Sequence, residues 1–191
     1  GSTDKSTRAF MRAVAMRRRL PVVIDADGLN SLAPWAKNLR GTAELPMILT
    51  PHPGEMARLS SKSIADILRN PIEAARSFAA EFGVILVLKG SPSVVAAPDG
   101  QIYVNTTGNA GMATGGTGDV LTGMIASFVA QRAGDPLSAT IAAVYLHGLA
   151  GDIAASRLGS RSMIASDITA NLGEAIISVG GDAERKIANS K

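Results

Sequence analysis

Three runs of consecutive apolar residues organise the first half of the chain: Val22-Val23-Ile24, Met47-Ile48-Leu49 and Val84-Ile85-Leu86-Val87-Leu88. Short uninterrupted runs of this kind are what parallel strands covered on both faces require. Ahead of the first, Phe10, Met11, Val14 and Ala15 recur at helical spacing, which predicts a helix over 5–19 stopped by Pro21. Helical patterns over 53–69 and 71–82 fill the interval between the second and third runs. Strand, helix and strand at this spacing predict a parallel sheet with crossover helices. Residues 93–97 and 101–105 flank Pro98-Asp99-Gly100, which predicts a hairpin. Helices are expected near 117–131, 136–157 and 166–179, the first two parted by Gly134-Asp135-Pro136. The last ten residues are polar and expected to fray. No repeat, low-complexity stretch or linker divides the chain, so residues 1–191 read as one domain.

Composition narrows the classes. A chain of 191 residues, 46% apolar and 18% charged, can bury a sizeable core and is not disordered by composition. The net charge of +3 and 4% aromatic content give little material for a nucleic-acid partner. Absent cysteine excludes disulfides, thiolate metal sites and a thiol nucleophile. No signal pattern is visible and no apolar run approaches the roughly 20 residues of a membrane span, so a cytoplasmic protein without a membrane partner is expected. Arg17-Arg18-Arg19 reads as solvated cations at a helix C-terminus, which the helix dipole favours, in preference to an anion site.

Ligands of open parallel sheets bind beyond the carboxyl ends of the strands. Here those ends run into Asp25-Ala26-Asp27-Gly28-Leu29-Asn30, Thr50-Pro51-His52-Pro53-Gly54-Glu55 and Lys89-Gly90-Ser91-Pro92-Ser93. The strongest local signal is the run from Gly108 to Asp119, with five glycines followed by the apolar helix from Val120. Glycines let backbone N–H groups close on a ligand, and a helix N-terminus behind them adds about half a positive charge. Such a nest suits phosphate or the charge of a transition state. Asp119 at its mouth is either a helix-stabilising carboxylate or a general base facing a hydroxyl; an acid beside a phosphate nest favours the base. The run matches neither the P-loop nor the dinucleotide-fold glycine spacing. Pro53 and Glu55 fit helix-start chemistry, which does not account for His52 between two prolines. His147, in an apolar helix, reads as structural. Asp25 and Asp27 could hold magnesium or substrate hydroxyls, or for Asp27 cap the turn after the strand. Lys89 could meet a phosphate or only solvate a strand end. Histidines too few to cluster leave no dedicated metal site, so magnesium would arrive on a nucleotide.

Taken together, residues 23–30, 49–56, 88–92 and 109–121 resemble the ADP/ATP-dependent NAD(P)H-hydrate dehydratases, in order and in spacing, over residues 1 to about 180. Gly-Gly-Thr-Gly-Asp (115–119) alone marks only the ribokinase-like superfamily; His-Pro-Gly-Glu (52–55) and Asp-Ala-Asp-Gly-Leu-Asn (25–30) narrow it. The resemblance implies an α/β, ribokinase-like, three-layer fold with a mostly parallel central sheet and flanking helices. It implies a repair enzyme that returns NADH or NADPH from forms hydrated at C6 of the nicotinamide ring, using ADP or ATP with Mg2+. It assigns catalysis to Asp119, Gly116 and Gly118, and the hydrated dinucleotide to Asp27, Asn30, Thr50, His52, Pro53, Gly54, Glu55 and Asp119. It assigns the nucleotide to Lys89, Gly90, Ser91, Pro92 and Ser93, and to Asn105, Gly108, Asn109, Met112, Thr114, Gly115 and Gly118. Members are usually longer, with a Gly-Pro-Gly-Leu-Gly-type loop before the segment matching Thr3 onward. The implied fold is therefore N-terminally incomplete, with Gly1-Ser2 where that loop would end. Family members often form tetramers, so a homo-oligomer is expected. A ribokinase-like kinase of a small alcohol or vitamin precursor, and an inactive nucleotide-binding piece, stay open as alternatives.

Overall fold

The computed structural model of the chain describes residues 4–188. Gly1-Ser2 lies outside the described residues. Helix α1 (Lys5–Arg17) starts at Asp4, whose carboxylate accepts the Thr7 N–H at 2.9 Å. The strands are β1 (Val22–Ile24), β2 (Met47–Leu49), β3 (Ile85–Leu88), β4 (Val94–Ala96) and β5 (Ile102–Val104). They form one sheet in the order β1-β2-β3-β4-β5. β1, β2 and β3 are parallel, with Val23 opposite Ile48 and Leu49 opposite Leu86. β4 runs antiparallel to both β3 and β5, so it alone opposes the common direction.

The continuous apolar runs have the expected consequence. Met47, Leu49, Leu86 and Leu88 enter one core, while Ile48, Ile85 and Val87 enter the core on the opposite face. Residues alternate across a sheet, so a strand covered on both faces must be apolar throughout. The first face is covered by α2 (Ala26–Leu32), α3 (Pro53–Ser60), α4 (Ile64–Arg69) and α5 (Pro71–Phe82). The second is covered by α6 (Thr117–Gln131) and α7 (Pro136–Leu158), with α8 (Ala165–Ala188) packed outside them. The layered α/β arrangement is the one the family resemblance implies, with a sheet mixed by the antiparallel β4.

Five local readings are corrected. Residues 26–32 form a helix directly behind β1 where a turn is expected. The helix expected over 53–69 breaks at Ser61, which takes a left-handed conformation, and Ser63 caps a new helix through the Asp66 N–H. Arg18 does not sit in water: its guanidinium donates to the carbonyls of Ala15, Arg40 and Leu45 at 2.7, 2.8 and 2.8 Å. Burial lowers its pKa. Finally, α7 is 23 residues long with a mean hydropathy of 1.3 over its most apolar window, long and apolar enough to cross a membrane. More than half of that window is buried, against α6 and α8 among others, which marks a core helix. α8 continues to Ala188, past the expected end near 179; residues 189–191 of the expected frayed tail lie outside the described residues.

Candidate functional site

The carboxyl ends of β1, β2 and β3 converge on a charged cluster. Lys89 Nζ, just beyond β3, lies 2.7 Å from Asp25 Oδ1 beyond β1 and 3.9 Å from Glu55 Oε2. Asp25 Oδ2 accepts from the Thr122 hydroxyl of α6 at 2.9 Å. The side chains of Asp25, Glu55 and Lys89 are 8%, 5% and 22% exposed, so these charges meet away from bulk water and their pairing is weakly screened. Burial alone would raise the Asp25 carboxyl; the Lys89 ammonium and the Thr122 hydroxyl outweigh it and hold it below its ordinary value. The next residue, Ala26, has φ of +49°, a left-handed conformation that costs a residue with a Cβ about 1–2 kcal/mol. Strain of this kind collects at functional sites.

The glycine run ends on this cluster. A Cβ on Gly118 would come within 3.4 Å of Lys89 Nζ and 3.7 Å of Asp25 Oδ2. Gly116, the residue before α6, has φ of +89°, which glycine adopts without a steric penalty. Gly115 faces open space, so a ligand can approach its backbone. The Thr117 hydroxyl sits within 2.8 Å of the Met112 carbonyl and 2.9 Å of the Thr114 carbonyl, drawing the loop against the start of α6. α6 has 15 residues, and its first turn, which holds Gly118, places the positive end of the helix dipole beside Lys89 and Asp25. Asp119 is exposed in its first turn.

At the end of β2 the residues divide. Thr50 is fully enclosed and its hydroxyl turns to the Ile24 carbonyl, so it has no surface for substrate. His52 has a local explanation that sequence reasoning denied it. Its Nδ1 accepts from the Gly54 N–H at 3.0 Å, while Glu55 Oε2 accepts from the His52 N–H at 2.8 Å, a reciprocal cap on α3 with Pro53 in the first turn. An accepting Nδ1 puts the proton of the neutral ring on Nε2, which lies 3.4 Å from Glu55 Oε1. The His52 side chain stays half exposed at the rim. Asn30 Oδ1 accepts from Arg58 Nε at 2.8 Å, and Asp27 lies exposed in the first turn of α2.

The two segments predicted to hold a nucleotide lie side by side: the Asn105 N–H donates to the Ser93 carbonyl at 2.9 Å. Ser93 closes the preceding loop on Gly90, and Gly90, Ser91 and Pro92 are exposed. Asn105 binds the Thr107 backbone and hydroxyl. Gly108 has φ of +103°, and Asn109 Oδ1 accepts from the Gly111 N–H at 3.0 Å at the head of a single 3-10 turn, Ala110–Met112. Met112 is half-buried and Thr114 exposed.

Sequence reasoning missed Thr122 and the reach of His147. His147 Nε2 lies 3.0 Å from the Thr117 carbonyl and donates to it, tying α7 to the first turn of α6. Burial lowers the His147 pKa, and that bond offsets it only in part. No local pattern announces such a contact, because the partners stand 30 positions apart. Among the described residues, no three side chains of His, Cys, Asp or Glu group to hold a metal ion. A divalent cation here would need ligand oxygens from a phosphate chain.

A family model described as NAD(P)H-hydrate dehydratase matches residues 2–174. The bifunctional NAD(P)H-hydrate repair enzyme Nnr of Moorella thermoacetica is 47% identical over 167 residues, covering 87% of this chain and 31% of that protein. The ADP-dependent (S)-NAD(P)H-hydrate dehydratase of Neisseria meningitidis is 46% identical over 153 residues, covering 78% of this chain and 50% of that one. The crystal structure of the ADP/ATP-dependent NAD(P)H-hydrate dehydratase from Bacillus subtilis, co-crystallised with ATP and Mg2+, superposes with a TM-score of 0.81 at 34% identity. It covers 92% of this chain and 60% of that one. The chain thus spans about a third to a half of the length of these curated relatives.

Proposed function

Because the chain belongs to the NAD(P)H-hydrate dehydratase family, we propose that it dehydrates hydrated NADH or NADPH at the expense of ADP or ATP. Asp119 takes the proton of the C6 hydroxyl as that oxygen attacks the terminal phosphoryl group, whose bond to the bridging oxygen breaks and releases AMP from ADP or ADP from ATP. The N–H groups of 115–118 and the α6 dipole receive the charge of the transferring group, since phosphoryl transfer depends mainly on positioning and electrostatics. The C6–O bond then breaks as phosphate departs, and loss of a proton from neighbouring C5 to water restores the double bond. Lys89 lies beneath the nest and Asp25 holds it there. His52, Pro53, Gly54 and Glu55, with Asn30 and Asp27, form the substrate rim; Thr50 supports it from within. Lys89 to Ser93 and Asn105 to Thr114 line the nucleotide. Magnesium enters on the nucleotide and neutralises its phosphate oxygens. The enzyme works in the cytoplasm as a homo-oligomer, for which exposed Phe10, Leu20 and Ile177 offer apolar surface.

The observation that supports this reading most is the meeting of Gly118 with the Asp25–Lys89 pair. It joins a glycine nest, a partly buried cation and an exposed carboxylate at one sheet end. The test supplies hydrated NADH, Mg2+ and ADP or ATP and follows recovery of NADH absorbance. Recovery should need the nucleotide and disappear in Asp119→Asn. Phosphorylation of a free small alcohol, with no recovery of NADH, would instead establish a kinase. Nucleotide binding with neither reaction would leave a binding piece.

A further inference from the structure

We infer that Asp152 of α7 is a positioning residue for the nucleotide, casting the glycine-rich loop without touching the ligand. This rests on the nucleotide reading above. Asp152 Oδ2 accepts from the Gly108 N–H at 2.8 Å, and Oδ1 accepts from Asn109 Nδ2 at 2.9 Å. An ionised carboxylate only accepts, so its two oxygens match two donors. With Nδ2 committed, Asn109 Oδ1 is left to meet the Gly111 N–H. One side chain therefore fixes the positive-φ turn at Gly108, the orientation of the Asn109 amide and the start of the 3-10 turn.

The neighbouring residues of α7 complete the mould. The Tyr145 carbonyl accepts from the Thr107 hydroxyl at 2.7 Å. A Cβ on Gly148 would collide with the Thr107 backbone, and one on Gly151 would displace the Met112 side chain. Positions 145, 148 and 152 lie on one helical face. Two consequences separate this from generic packing. The Asn109 amide is committed to Asp152 and the Gly111 N–H, so a nucleotide lying along this segment meets its backbone and not the Asn109 side chain. And a carboxylate beside a loop built for phosphate repels the ligand, so its contribution to binding must come through the shape it imposes.

The experiment uses the full chain, with ADP titrated by calorimetry and amide hydrogen exchange measured without ADP. Asp152→Asn keeps the size of the side chain but turns one acceptor into a donor facing a donor. It should weaken ADP binding about tenfold or more and speed exchange at Gly108 by a similar factor, leaving β2 and β3 amides unchanged. Asn109→Ala, which leaves α7 intact, should fall between the variant and the wild type. ADP affinity within about twofold of wild type in Asp152→Asn, or unaltered Gly108 exchange, would overturn the assignment. If wild type itself fails to bind ADP, the proposed function and the ligand of this loop fall together. The exchange comparison would still decide whether Asp152 holds Gly108.

Discussion

Replacing Lys89 by methionine removes the cation between two buried carboxylates. Taking one partner from a buried pair costs about 3–5 kcal/mol, because an uncompensated charge stays behind. Lys89 keeps some contact with water at 22% side-chain exposure, so screening brings the cost below that range, to about 2–3 kcal/mol. For a chain of 191 residues that lowers the melting midpoint by about 4–12 °C. The pH dependence tests the cause. In the wild type the folded Asp25 pKa is depressed, so its stabilising contribution is present above the ordinary carboxyl value of 3.8 and is lost as pH falls through the folded pKa. Without Lys89, burial dominates and pushes the carboxyl upward, so protonation relieves the variant. The stability gap between the two proteins should therefore narrow from about pH 7 to about pH 4, read by urea denaturation at each pH. Adding Asp25→Asn to Lys89→Met should recover part of the loss at neutral pH. A gap below about 0.5 kcal/mol, or one that widens on acidification, would refute the buried-pair account.

Two further predictions separate structural from chemical roles. His52→Ala should cost about 1 kcal/mol through the lost α3 cap. His52→Asn should keep the cap and melt near wild type, yet raise KM for the hydrated dinucleotide about tenfold if the ring also binds substrate; an unchanged KM leaves His52 as a cap alone. Buried His147 has a folded pKa below its ordinary value of 6.5. The unfolded chain takes up a proton that the folded ring refuses, so wild-type stability should fall as pH drops from about 7.5 to about 5.5. His147→Gln should flatten that slope, and equal slopes in both proteins would remove His147 as its source.

Much of the framework was legible in the chain itself. β1 and β2 fall on the expected residues because short apolar runs bounded by proline, aspartate and threonine leave little latitude for strand ends. The hairpin around Pro98-Asp99-Gly100 and the start of α6 behind the glycine run follow from turn and helix-start chemistry within a few residues. Local chemistry misled where two conformations competed over a short stretch. Ala26–Leu32 reads as a polar turn, but Leu29 and Leu32 supply enough buried surface to make it helical. His52 looked inexplicable because imidazole is an uncommon cap, although its Nδ1 is a sufficient acceptor.

The amino-acid order determined that acids, glycines and a lysine would stand at strand ends, because strand direction and apolar periodicity are local properties. Only the tertiary structure decided which of them meet. Lys89 finds Asp25 across 64 positions and Thr122 finds Asp25 across 97. Asp152 reaches back 44 positions to Gly108. These pairings depend on sheet order and on which face each helix covers. The same packing turned His147 from a core residue into a tie on α6, because a buried imidazole needs a hydrogen-bond partner and the Thr117 carbonyl was the one brought within reach.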